Sequence, residues 1–240
     1  MEKEDLNKVK IIDKIRLYQK TDVPTCTSFL SPGEILENEN LLKKIPHIIT
    51  GSYDEAERKI IIIGTEEADI EDYFTLVEVS SNSTLAHREV LGSVLGTGIK
   101  RDVVGDIIIN DSIAYVIVLK EISKYLIQNI DKVGREKVKV KIVTFDEIKI
   151  PEKHMKEIQT TVSSLRLDAL ISACYGISRE ISLKLVETGK VNINYKEAVS
   201  NSKKVAQGDL VSCRGYGRFE VKKIVGETRK GRIRVVLNRF

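Results

Sequence analysis

Apolar positions open the chain at helical spacing: Leu6, Val9, Ile12 and Ile15 predict a helix over about residues 3–18. An irregular stretch with Pro24 and Pro32 follows, and a second short helix is expected after Pro32 and Gly33, ending before Pro46. β-Branched runs at 47–50 and 59–63 predict two strands around the polar turn GSYDEAER. From residue 74 the pattern is more orderly. Strands are expected at 74–81, 105–110, 113–119 and 136–145, and helices at 87–96 and 120–130, with a tight turn at Asn110-Asp111. The resulting order, βαββαβ, is the split βαβ arrangement of ferredoxin-like and RNA-recognition-motif folds. Residues 149–160, polar and holding Pro151, read as a linker. Beyond it, Leu165, Leu167, Leu170 and Ile171 suit one buried helix, and Ile181 with Leu185 suits a second that Ser178 caps and Gly189 stops. Glycine-punctuated strands complete the chain. The fold class is α+β in three small domains: an N-terminal α/β domain (1–72), a central ferredoxin-like domain (73–148) and, after the linker, a basic C-terminal domain (161–240).

Composition narrows the function classes. With 42% apolar residues and few Gly or Pro, a disordered or fibrous chain is excluded. No apolar run approaches the roughly 20 residues of a membrane span, and MEKEDLNKVK lacks an apolar signal core. A cytoplasmic protein with no membrane partner is the expectation. Cys26, Cys174 and Cys213 never form a C-x-x-C pair, and His47, His87 and His154 are scattered, so neither disulfides, nor a metal site, nor a cofactor is expected.

The net charge of +4 names no partner until it is divided along the chain. Residues 1–79 carry 10 Lys/Arg against 17 Asp/Glu (−7), residues 80–159 carry 13 against 11 (+2), and residues 160–240 carry 16 against 7 (+9). So strong a basic excess in the last third attracts polyanions. The acidic first third is expected to face protein or solvent. Within the basic third, Ser178 and Arg179 stand at a helix start, where free N–H groups and the dipole favour phosphate. Asn192 and Asn194 share the polar face of an alternating strand, and Arg214 and Arg218 flank Gly215-Tyr216-Gly217, which lets backbone approach a polyanion closely. In the final hairpin Arg218, Lys222, Arg232 and Arg234 alternate with core positions.

These residues carry a resemblance. Leu167-Asp168, Ser178-Arg179, Gly189-Lys190-Val191-Asn192 and Val205 with Gly208-Asp209 resemble the S-four, or alpha-L, RNA-binding domain, with Tyr195 where that domain more often has Gly. FLSP with Glu34, TGSYDEAER (50–58), HREVLGSVLGTGIKRDVVGDI (87–107) and TVSSLRLDA (161–169) resemble the YlmH-type family of bacterial RNA-binding proteins. The resemblance implies an RRM-like middle domain, an S-four-like C-terminal domain, and binding to rRNA and tRNA on the large ribosomal subunit. It further implies a role in translation or in quality control of stalled nascent chains, with other ribosome-rescue proteins as partners of a monomer. RNA-contact candidates are Arg166, Ser178, Arg179, Lys184, Lys190, Asn192, Asn194, Lys203, Lys204, Arg214, Arg218 and Lys222, followed by His87, Arg88, Lys100, Arg101, Arg232 and Arg234.

Two expectations limit this reading. Only Tyr115 among the aromatics lies on the central strands of the middle sheet, which argues against base stacking there. GTGIKR lacks phosphate-loop spacing and reads as a helix stop with a basic loop behind it. A non-enzymatic RNA-binding factor is expected. A pseudouridine synthase-like enzyme needs a catalytic Asp in a separate domain, whereas the one R-L-D run, at 166–168, lies in the binding domain. The third class is a protein-interaction adaptor using the acidic N-terminal part.

Overall fold

The computed structural model describes residues 3–53, 55–148 and 155–240, an α+β chain in two compact units, residues 1–151 and 152–240. Residues 149–154 of the expected linker, with Pro151 and His154, lie outside the described residues.

In the first unit, helix α1 (Lys3–Thr21) is followed by strand β1 (Thr25–Cys26) and helix α2 (Pro32–Asn38). Ser31 and Glu34 form a reciprocal capping box at the start of α2, and Pro32 sits at its first position. Strands β2 (His47–Thr50) and β3 (Ile60–Ile63) then pair antiparallel, giving a three-stranded sheet of order β1-β3-β2. Next come β4 (Phe74–Ser80), α3 (His87–Gly96), β5 (Val104–Asn110), β6 (Ile113–Leu119) and α4 (Lys120–Asn129). A hairpin of β7 (Lys132–Val133) and β8 (Glu136–Lys137) leads into β9 (Lys139–Val143). The four-stranded sheet has order β5-β6-β4-β9, all antiparallel, with β5 and β6 joined by a two-residue turn in which Asp111 takes φ 54°.

Four consecutive isoleucines explain how these sheets meet. Successive strand residues point to opposite faces, so Ile60 and Ile62 join one apolar cluster while Ile61 and Ile63 join another. Ile61 and Ile63 pack with Ile11 and Ile15 of α1 and with Leu30 and Leu42. Ile60 and Ile62 pack with Phe29 against Phe74, Leu76, Tyr115 and Ile117, which belong to the four-stranded sheet. The opposite face of that sheet, Val77, Val79, Val116 and Val118, covers Val90 and Val94 of α3 and Leu126 of α4. The layers are therefore helix, sheet, sheet, helices. The expected domain boundary between residues 72 and 73 separates no cores, because one apolar cluster spans it. Helix α1 buries Ile15 of the expected stripe together with Ile11, which lay outside it, and leaves Leu6 and Val9 exposed, so the buried stripe is rotated from the one that the spacing favoured.

Loop polar groups fasten the same junction. The Asp106 carboxylate accepts from Tyr53 Oη at 3.0 Å, Glu57 N at 2.7 Å and Arg58 N at 3.1 Å. Arg58 donates to Val104 O at 3.0 Å and to Phe29 O at 2.7 Å. Burial, then the Asp106 carboxylate, push the Tyr53 phenol above its ordinary range.

The second unit holds strands β10 (Lys156–Val162), β11 (Val191–Ile193), β12 (Lys196–Glu197), β13 (Leu210–Cys213), β14 (Gly217–Glu227) and β15 (Ile233–Arg239), in sheet order β10-β15-β14-β13-β11-β12. Helices α5 (Leu167–Tyr175) and α6 (Arg179–Glu187) share one apolar cluster with this sheet. Residues 156–160, expected as linker, are edge strand: β10 pairs with β15 at seven positions from Lys156↔Arg239 to Val162↔Ile233. Only Val162 of that strand is buried, so its stability comes from backbone pairing that hydrophobic periodicity does not report.

Phe29 stacks on Phe74 with ring centroids 5.2 Å apart and is 1% exposed. Phe29→Ala is expected to cost about 3–5 kcal/mol and to lower amide-exchange protection in β4 and β6 together with β3. Wild-type protection in β4 and β6 would mean that the two sheets are stable independently.

Candidate nucleic-acid interface

The core of the second unit positions its charged residues. Gly176, at φ 67°, ends α5, and two residues later Ser178 starts α6, its Oγ accepting from Ile181 N at 3.2 Å. This short connection brings the first turns of both helices together. Asp168, in the first turn of α5, has a side chain only 2% exposed and accepts from Arg166 Nε at 3.0 Å and Arg179 Nη2 at 2.8 Å. Burial alone would raise this carboxyl, but the hydrogen bonds and charges of Arg166 and Arg179 outweigh it and hold Asp168 below the usual carboxylate range. The two arginine side chains remain 39% and 52% exposed. Each guanidinium has five N–H donors, so most of them remain for a ligand. Leu167 N donates to Lys203 O at 3.0 Å and Arg166 bridges Lys204, which pins both lysines beside the clamp with their side chains in solvent. The structure thus gathers Arg166, Ser178, Arg179, Lys203 and Lys204.

A second group lies on the sheet. Register places Asn192 opposite Ser212 and Ser212 opposite Arg218, so these three side chains form a row across β11, β13 and β14. Arg214 N donates to Lys190 O at 2.8 Å, drawing the two cations to the end of the row. Lys190, Asn192, Ser212, Arg214 and Arg218, with Gly189, Gly215 and Gly217, line a shallow cleft of about 390 Å³. The hairpin tip requires its glycines: Gly215 and Gly217 have φ of 91° and 103°. Lys184, on α6, is exposed.

Other candidates are engaged within the protein. Asn194 is a structural residue: Nδ2 donates to Asp209 Oδ1 at 2.7 Å and Oδ1 accepts from Leu210 N at 2.9 Å. It and Tyr195, both with positive φ, make the turn into β12 without a glycine. Lys222 pairs with Glu157 at 2.7 Å, and Arg232 donates to Thr161 on β10. In the first unit Arg101 points inward to the Val104 and Gly105 carbonyls, and burial followed by the charge of Arg58 pushes it down to about 10. His87, Arg88, Lys100 and Arg234 are exposed. Gly96 and Gly98 lie at the C-terminal end of α3, the wrong pole for phosphate.

Burial pushes Cys174 up to about 11 and Cys213 up to about 12, which keeps both as thiols. Among the described residues no cluster of three or more His, Cys, Asp or Glu side chains could hold a metal ion. No helix of the described residues is long and apolar enough to cross a membrane. From the sequence Asp168 enters only through the Leu167-Asp168 motif and the R-L-D run, not as the partner of Arg166 and Arg179; the signal for that role is an acidic residue two positions after Arg166 in an otherwise apolar helix start.

Comparison with known proteins places this geometry. Residues 69–147 match the family described as "Putative RNA-binding domain in YlmH". The chain is 33% identical over 232 residues, 93% of its length and 90% of the relative's, to the Bacillus subtilis "Ribosome-associated protein quality control protein P2". The chain belongs to the YlmH-type family of RNA-binding proteins. A solved structure, the cell division protein ylmH from Streptococcus pneumoniae, covers 63% of the chain and 97% of its own at TM-score 0.55 and 20% identity, a likeness of fold. The matched YlmH segment spans the four-stranded sheet, so the RNA-binding description attaches to the first unit, outside the basic C-terminal third.

Asp168→Asn is expected to destabilise the second unit by about 1–3 kcal/mol at pH 7, the usual worth of hydrogen bonds to a charged group. Because the folded carboxyl titrates below its unfolded value near 4, the clamp's contribution is complete above that value and is lost as pH falls through the depressed one. Thermal melts from pH 7 to pH 3 should show the gap between wild type and variant closing at the acid end.

Proposed function

We propose that this protein is a non-enzymatic RNA-binding factor of ribosome-associated quality control. It would contact structured rRNA and tRNA on the large ribosomal subunit through an S-four-like C-terminal domain, as a cytoplasmic monomer alongside other ribosome-rescue proteins. The observation that carries the reading is the Asp168 clamp, which orients Arg166 and Arg179 beside Lys203 and Lys204 at the N-terminal end of α6. Pre-bound guanidiniums lose less side-chain freedom on meeting a phosphate than free ones. The relative's name supports the ribosomal setting. The enzyme reading gains nothing from Asp168, a buried carboxylate held by two arginines with no room to act on a base.

Filter binding of the full chain to deproteinised large-subunit rRNA tests the RNA-binding step. For about 6 phosphate contacts, affinity should fall on the order of 10³-fold between 50 and 200 mM salt. Arg179→Ala should lower affinity and reduce the salt slope by about 1, with far-UV dichroism unchanged. Salt-insensitive binding, or equal affinity of variant and wild type, overturns the interface. Gradient sedimentation tests the ribosomal step: the protein should travel with large subunits carrying an obstructing peptidyl-tRNA, and its presence only in free fractions argues against the quality-control role.

A further inference from the structure

An RNA-recognition-motif sheet binds single strands on the face opposite its helices, where aromatics stack on bases. In this protein that face is the buried interface between the two sheets. Tyr115 is 5% exposed, and Phe74, Leu76 and Ile117 are covered by Phe29, Ile60 and Ile62. If residues 69–147 bind RNA, they do so by a surface outside this covered centre.

The four-stranded sheet offers one such surface. Between Asp131 and Lys141 the chain carries five cations, Lys132, Arg135, Lys137, Lys139 and Lys141, against the carboxylates Asp131 and Glu136, and all five cations are exposed. The first three lie on the β7–β8 hairpin, with Arg135 at its turn beside Gly134 of φ 61°. Register sets Lys139 opposite Ser80 and Lys141 opposite Glu78, so both stand on the same face as Leu76 but at its exposed β9 margin. Two features set this surface apart from a merely solvated one. The hairpin is firmly held, because Val133 is buried in the core under α3 and Val138 N donates to Asp131 O at 3.0 Å. Its register also places Lys132 directly opposite Lys137, a like-charge pair that destabilises a two-stranded ladder when nothing neutralises it. Lysines on an edge strand are commonly a guard against strand-to-strand aggregation. That explains Lys139 and Lys141, but a two-residue hairpin strand needs no such guard, and opposed lysines there carry a cost that a polyanion removes.

We infer that the β7–β8 hairpin and the β9 edge form a second RNA-binding surface, which holds phosphates of an RNA backbone through Lys132, Arg135, Lys137 and Lys139. It reads charge and shape, with no base stacking. The inference rests on the RNA-binding function proposed above and assigns the contact within the matched YlmH segment.

The test is a full-length variant, Lys132→Ala, Arg135→Ala, Lys137→Ala and Lys139→Ala together, which leaves the Lys141–Glu78 pair at 3.4 Å intact. Filter binding to deproteinised large-subunit rRNA should show affinity at least tenfold weaker and a salt slope smaller by about 1 for each contact removed. A second variant, Lys132→Arg with Lys137→Arg and Lys139→Arg, should bind as wild type does. Unchanged affinity and slope in the alanine variant, alongside weakened binding by Arg179→Ala, overturns the second surface while leaving the proposed function standing. Loss of binding in the arginine variant as well as the alanine variant also overturns it, because charge is then not the cause. Aggregation of the alanine variant with wild-type RNA affinity in its soluble fraction assigns the lysines to edge protection. Salt-insensitive binding by the wild type instead defeats the reading on which the inference rests.

Discussion

The strand Ile60–Ile63 is apolar on both faces and therefore has to be covered twice. Much of the first unit follows from that requirement. One face takes α1, the other takes the flat side of the four-stranded sheet, and the cost of exposing either is large, since burying an Ile side chain is worth about 1.5–3 kcal/mol. Once the two sheets are joined, the centre of that side, with Phe74, Leu76 and Ile117, is covered. Gly105 records how close the fit is: a Cβ there would lie 2.8 Å from the Phe29 ring. The Asp106, Tyr53 and Arg58 network follows from the same junction, because loop backbone brought that close to a buried sheet needs partners for its polar groups.

The second unit solves a different problem, that of holding cations still without discharging them. A buried carboxylate ordinarily pays a desolvation penalty that a single surface arginine does not repay. Asp168 has two, each with further N–H groups in solvent. The penalty is shared between two arginines whose side chains stay partly in solvent. Arg239 does a quieter version of the same, lying 4.8 Å over the Tyr175 ring.

Much of this was legible in the sequence, and the failures share physical causes. Element spans in the middle of the chain were readable because a half-buried sheet writes period-2 patterns and its helices write period-3.6 ones. Ser178 and Gly189 announced the limits of α6 by cap chemistry. Strand β10 was hidden because KEIQTTV is paired through backbone and buries almost nothing. The partners of Asn194 were hidden because strand alternation gives a side chain's face but not what it bonds to. Its amide was already committed to Asp209 and Leu210. The division at residue 72 failed because chain order shows where composition changes, whereas a shared core depends on which faces remain uncovered. At the candidate interface, the sequence pointed to Arg166 and Arg179 but not to the carboxylate that makes them a pair, and it passed over the cations of residues 132–141.

That omission arises from averaging charge over long windows. The middle third sums to +2 because the carboxylates elsewhere in it offset the hairpin, yet at 0.15 M salt exposed charges more than about 8 Å apart are largely screened from one another, so each patch acts locally. The acidic excess of the first third is likewise partly spent inside the fold. Glu34 caps α2 and receives Asn7. Carboxylates so committed contribute less repulsion toward an approaching phosphate than their count suggests. Among the described residues the cations outside such pairs include Arg88 and Lys100 around α3 and those of the hairpin of residues 132–137, while in the second unit Arg166 and Arg179 share a single carboxylate. Counterion release makes each phosphate neutralised add its own increment to the salt slope, so local surfaces of this kind sum in affinity even where whole-chain charge is near balance.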